Sequence, residues 1–155
     1  MNRPKFTVIQ GGLAAANRKN TFVSAYVTDT RLMGVLAVYA HWQVEVPASG
    51  DRLPDIHQFF YIDCEEAGLE TYQSVRGSDM EQITMTEQAL IGGLGAGKVS
   101  LTEKTLRQLL CIYRDFNDQH GLPLPENFDE YGFIFHDAPE VTAQDRAQLL
   151  SMICT

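Results

Sequence analysis

The chain has 155 residues, 45% of them hydrophobic and 21% charged, with a net charge of −8; this excludes a disordered chain and suits one domain that buries a continuous core without disulfides or metal. Six Lys/Arg stand against four Asp/Glu in residues 1–60, but against sixteen in residues 61–155. The acidic second half repels phosphate backbones and anionic lipid, so neither nucleic acid nor membrane is an expected partner; the patch that opposes this field is Arg3, Lys5, Arg18 and Lys19.

Taken in chain order, β-branched and aromatic residues cluster in short runs up to Gly77, and helix formers recur at helical spacing after it. Strands are predicted over Thr21–Thr28, Met33–Val46, His57–Glu65 and Leu69–Arg76, with Phe6–Gln10 as a fifth. The segment PASGDRLPD between the second and third reads as a loop because Pro, Gly and Asp crowd it. The long strand alternates Leu36, Val38, Ala40, Trp42, Val44 and Val46 with Val35, Ala37, Tyr39, His41, Gln43 and Glu45. The first set is core. The second is apolar for half its length, which predicts a face partly covered by a helix of the same chain or by a second subunit, and hence a homo-oligomer through this second sheet face.

After Gly77, residues 78–91 carry both helix and strand signals, with helix favoured for Glu87–Ile91. A helix over Leu101–His120 follows, opened by Ser100-x-x-Glu103 and stopped by Gly121 and Pro123. One helical turn is expected at Glu126–Tyr131, a short apolar run at Phe133–Phe135, and a last helix over Ala143–Ile153 capped by Thr142 with Asp145. The expected fold is one α+β domain over residues 1–155: an antiparallel four- to five-stranded meander (sheet half 1–77), then two main helices on one sheet face (helical half 78–155).

The one stretch resembling a chemical motif is GGLGAGKVS, where Gly92-x-x-x-x-Gly97-Lys98 has P-loop spacing. Val99 replaces the Ser or Thr whose hydroxyl would hold Mg²⁺, and no buried strand precedes the loop. What remains is a linker, or an anion site built from Gly95, Gly97 and Lys98 without hydrolysis. If Val46 lies opposite His57, then His41 and Cys64 are diagonal neighbours on one face, and they become the candidates for thiol or metal-assisted catalysis. In the same register Trp42, Phe59 and Tyr61 share a face. The histidines and acids show no metal-ligand spacing on one element, so no metal and no cofactor is expected.

Cys64, Cys111 and Cys154 are widely spaced and odd in number, the N-terminal apolar run is too short for a signal peptide, and no apolar run approaches a membrane span. A cytoplasmic protein with reduced thiols is expected. No constellation of catalytic groups stands at workable spacing, so the leading expectation is a non-enzymatic binding or regulatory module acting through protein contacts. The alternatives are a small-molecule, phosphate or nucleotide-binding protein using the Gly92–Lys98 loop, and a thiol or metal enzyme around His41 and Cys64.

Overall fold

The computed structural model describes residues 18–29, 34–91, 97–136 and 138–153. In chain order the elements are β1 (Lys19–Thr28), β2 (Val35–Val46), β3 (Asp51–Asp63), β4 (Gly68–Arg76), α1 (Met80–Ile91), β5 (Lys98–Leu101), α2 (Glu103–Gln119), the short α3 (Phe128–Tyr131), a 3₁₀ turn (Gly132–Phe135) and α4 (Ala143–Ile153). The sheet is antiparallel in the order β4-β3-β2-β1-β5. The α+β class and the four-strand meander are as the residue pattern predicts. The fifth strand is β5, on the outer side of β1; Phe6–Gln10 lies outside the described residues.

The β2–β3 register departs from the expected one. Val35 pairs with Asp63 and Trp42 with Ile56; beyond a bulge, Val44 pairs with Leu53 and Val46 with Asp51. The Pro-containing DRLPD stretch is strand, not loop, and the turn shrinks to residues 47–50 with Gly50 at φ +73°. The bulge is what permits it. Pro54 and Asp55 together stand opposite Gln43, so the missing proline N–H falls where the ladder is interrupted anyway.

One sheet face carries the main core. Leu36, Val38, Ala40 and Trp42 of β2 and Ile56, Phe60 and Ile62 of β3 pack with Leu106, Leu109, Leu110 and Tyr113 of α2, Tyr131 and Ile134 beyond it, and Leu149 of α4. Each fully buried large side chain contributes roughly 1.5–3 kcal/mol of transfer free energy. Trp42 belongs to this face, whereas Phe59 lies on the other, which corrects the shared aromatic face expected from the earlier register.

The other face is smaller and has its own helix. Phe59, Val75 and Ile83 are buried together, with Tyr39 and Leu90 at the margin, so α1 roofs part of it. The whole of Met80–Ile91 is helical, including the ITMT stretch that reads equally well as strand. Asp79 starts it by accepting the N–H groups of Glu81 and Gln82. For α2, the cap is Thr102 with Thr105, one turn reciprocally bonded, in place of Ser100 and Glu103; Ser100 is a β5 residue opposite Tyr26. At α4, Thr142 Oγ1 accepts from the Asp145 N–H and Asp145 accepts from the Thr142 N–H, as the cap pattern predicts.

Asn117 fastens α2 to β4. Its Oδ1 accepts from the Leu69 N–H at 2.8 Å, and its Nδ2 donates to the Leu69 carbonyl at 3.0 Å and to the Pro123 carbonyl at 3.2 Å. The approach is so close that a Cβ on Gly68, itself at φ +65°, would lie 2.0 Å from Asn117 Oδ1. Replacing Asn117 with Ala leaves a buried N–H and carbonyl unpaired, and should lower the free energy of urea unfolding by about 1–3 kcal/mol. Gly68→Ala should cost at least as much. A loss below about 0.5 kcal/mol for both would show that the clip does not hold α2.

Candidate functional site

A cluster of histidine, tyrosine and carboxylate side chains converges on the face beneath α1. Antiparallel register lines up Ser100, Tyr26, Tyr39, Phe59 and Gln73 across the five strands, and sets His41, His57 and Val75 in the next row. Residues two apart on a strand share a face, so Tyr39 and His41 of β2 stand beside His57 and Phe59 of β3. Asp55 joins them from the bulge.

Two histidines form the centre. Their rings stack with centroids 4.2 Å apart, His57 buried at 5% exposure and His41 partly exposed. His57 Nε2 lies 3.0 Å from the Gly77 carbonyl, which can only accept, so Nε2 carries the proton and Nδ1 receives the Tyr39 hydroxyl at 2.7 Å. Burial, and then the neighbouring His41 ring, lower the His57 pKa, which keeps it in this neutral tautomer. Tyr39 is pushed up to about 12 by burial and then by the charges of Glu87 and Asp55, so it remains a donor.

His41 has a different partner. Its Nε2 lies 2.8 Å from Asp55 Oδ2, and Arg52 approaches the other carboxylate oxygen at 3.3 Å. The hydrogen bond from His41, followed by that from Arg52, holds the Asp55 carboxyl below its ordinary range. Further along the same face Tyr26 stacks on Tyr39 at 5.1 Å and donates to Glu87 of α1; Lys98 reaches Glu87 at 3.2 Å and lies 4.7 Å above the Tyr26 ring. Burial and then the hydrogen bond to Glu87 raise the Tyr26 pKa, so this phenol also stays protonated.

The predicted site residues are thereby separated. His41 is in the cluster. Cys64 follows β3 past the Val35–Asp63 pair and packs against the main core, where Tyr113 Oη lies 3.4 Å from its sulfur. The two are on opposite faces and six or more residues apart along the sheet, on the order of 20 Å, so the expected imidazole–thiol pair is not formed. The reason is the register: His41 faces His57, not Ile62, and Tyr39 faces Phe59, not Cys64. Lys98 opens a strand instead of a phosphate-binding helix and is ion-paired with Glu87. The Gly97 N–H donates to the Asp29 carboxylate at 2.9 Å, and a Cβ there would lie 2.6 Å from that carboxylate. Gly95 lies outside the described residues.

Tyr26, Tyr39, Asp55 and Glu87 carry no site signal of their own in the sequence, and His57 stands there only among the histidines and acids weighed as metal ligands. The period-two spacings Tyr39-x-His41 and Asp55-x-His57 were the available signal. Chemically, the arrangement is a hydrogen-bonded relay, Tyr39 to His57 to a carbonyl, beside a His–carboxylate pair. Among the described residues no three His, Cys, Asp or Glu side chains converge as metal ligands. No family model, curated protein or solved structure matches the chain.

The lowered His57 pKa has a definite sign in stability. The unfolded chain binds the proton more readily, so the contribution of neutral His57 is complete above about pH 6.5 and is lost as pH falls through the depressed folded value. Asp55 acts in a separate window, its contribution vanishing only as pH falls below the ordinary carboxylate range. Thermal melts from about pH 8 to about pH 5 should therefore show the melting temperature falling on the acid side of about pH 6.5, with a shallower fall in His57→Gln. An unchanged slope in that variant would remove His57 as the source.

Proposed function

We propose that this chain is a non-enzymatic, cytoplasmic binding or regulatory module that acts through protein contacts made on the α1 side of the sheet, a second copy of the chain being the first partner. One observation carries the reading. α1 is held by a small buried cluster, Phe59, Val75 and Ile83, and by Glu87, while Met80 and Met85 project outward at 67% and 66% exposure. A helix with so few buried contacts belongs to the low-stability end of a domain, from which elements that rearrange on binding are drawn. Methionines suit a contact surface because their flexible, polarizable side chains adapt to a partner. Tyr26 and Tyr39 are half-buried beside the helix and extend the same surface.

Other features agree with this reading. No helix among the described residues is long and apolar enough to cross a membrane, and Cys111 is a free thiol, as a reducing compartment favours. The polar groups under α1 serve one another, which suits a fastening for the helix.

A photoreactive amino acid placed at Met85 should give discrete adducts in cells, including one of twice the chain mass, and the same residue at the exposed Ala48 of the β2–β3 turn should not. Met80→Glu together with Thr84→Glu should abolish them. Equal labelling from both positions, or none from either, would refute the reading.

A further inference from the structure

Among the described residues, one buried side-chain nitrogen or oxygen has no hydrogen-bond partner: Nε of Arg18. Arg18 immediately precedes β1 and separates two hollows. On one side is a narrow cavity of about 40 Å³ that also touches Asn20, Arg76, Asp129 and Glu130. Glu130 is not available to it, since its carboxylate is taken by Tyr72, Ser74 and Arg76. On the other side is an open cleft of about 460 Å³ lined by Arg18, Lys19, Asn20, Arg107, Phe133 and His136, in which Glu103 is the one carboxylate.

The cleft is built, not merely charged. Arg107 donates through NH1 to the carbonyls of Phe133, Ile134 and His136, at 3.0, 2.9 and 3.3 Å, and through Nε and NH2 to Glu103, at 3.1 and 2.9 Å. Its guanidinium also lies 5.5 Å above the Trp42 ring. Glu103 is thus spent on Arg107. Lys19 has a loose, exposed pair with Glu45 at 3.8 Å, and Arg18 has no ion pair among the described residues. The result is a cleft in which Arg18, Lys19 and Arg107 stand against one lining carboxylate, Glu103, in a chain of net charge −8. Arg18 is only partly buried, so the accessible part of its guanidinium meets an incoming oxyanion and gains charge-assisted hydrogen bonds.

We infer that this cleft is a binding site for a small phosphate-bearing molecule, held by Arg18 and Lys19 with Asn20 and His136 as further donors and the Phe133 ring as an apolar wall. Phosphate fits better than a single carboxylate because its oxygens can meet donors spread around the cleft, and Arg matches it bidentately. A volume of this size accommodates a mononucleotide-sized ester. The site is distinct from the Gly92–Lys98 loop, whose Lys98 and Gly97 N–H are engaged by Glu87 and Asp29.

Calorimetric titration of the full chain with inorganic phosphate, pyrophosphate, AMP and succinate at matched ionic strength tests the inference. Saturable binding of pyrophosphate or AMP is expected, weakened about tenfold or more in Arg18→Gln. Lys19→Gln, at a side chain 63% exposed, serves as the second variant because it does not threaten folding, and should weaken binding as well. Lys98→Ala should leave it unchanged. Absence of saturable binding, succinate binding as tightly as pyrophosphate, wild-type affinity in both Arg18→Gln and Lys19→Gln, or loss in Lys98→Ala instead would each overturn it.

Discussion

The pairing of β2 with β3 is the constraint on which the rest of the molecule depends. These are the two longest strands, they lie at the middle of the sheet, and their register decides which side chains meet from Val35–Asp63 to Val46–Asp51. Because the side-chain period is two, the pairing sends Leu36, Val38, Ala40 and Trp42 toward α2, and Tyr39 and His41 toward α1. The bulge opposite Gln43 shifts the ladder by one residue, absorbs Pro54, and brings Asp55 within reach of His41.

Both helical layers are then fastened to this sheet by the same chemistry, a glutamate reaching down to a tyrosine. Glu130 of α3 receives the hydroxyls of Tyr72 and Ser74, within a network that continues through Gln58 to Trp42. Glu87 of α1 receives Tyr26 and pairs with Lys98. The difference is in what surrounds them. Tyr131, Phe60 and Tyr72 pack around the first fastening in the main core, whereas the second stands beside a cluster of three buried apolar residues. Hydrogen bonds of this kind hold an element in place but contribute about 1 kcal/mol each, so the apolar area beside them separates the permanent layer from the displaceable one.

How much of this was legible follows from which forces act locally. Alternation in β2 identified its core face, and the 3.6-residue spacing of Leu106, Leu109, Leu110 and Tyr113 identified α2, because both patterns report burial directly. Thr142 with Asp145 was readable because capping is settled within one turn. The β2–β3 register was not, since turn length and bulge position are fixed by pairing partners that composition does not reveal. That single uncertainty misplaced Cys64 beside His41 and concealed the meeting of His41 with His57 and Asp55. The short strand after the glycine loop was equally illegible: Lys98–Leu101 completes a sheet edge against β1, a pairing that only the partner strand reveals. At Ile83–Thr86 local propensity pointed both ways, and burial of Ile83 against Phe59 decided for helix.

The Asn117 side chain has a consequence for how the sheet ends. Its carboxamide offers Leu69 one acceptor and one donor, as the peptide group of an adjoining strand would, and so occupies the start of the outer rim of β4. The opposite rim is blunted differently, by a strand only four residues long that begins with a lysine. Open strand rims are templates on which another chain can add itself and begin an aggregate. In this molecule the Asn117 amide fills the first rung of the β4 rim at the cost of no extra backbone, so the residue that packs α2 against the sheet also shortens the open template.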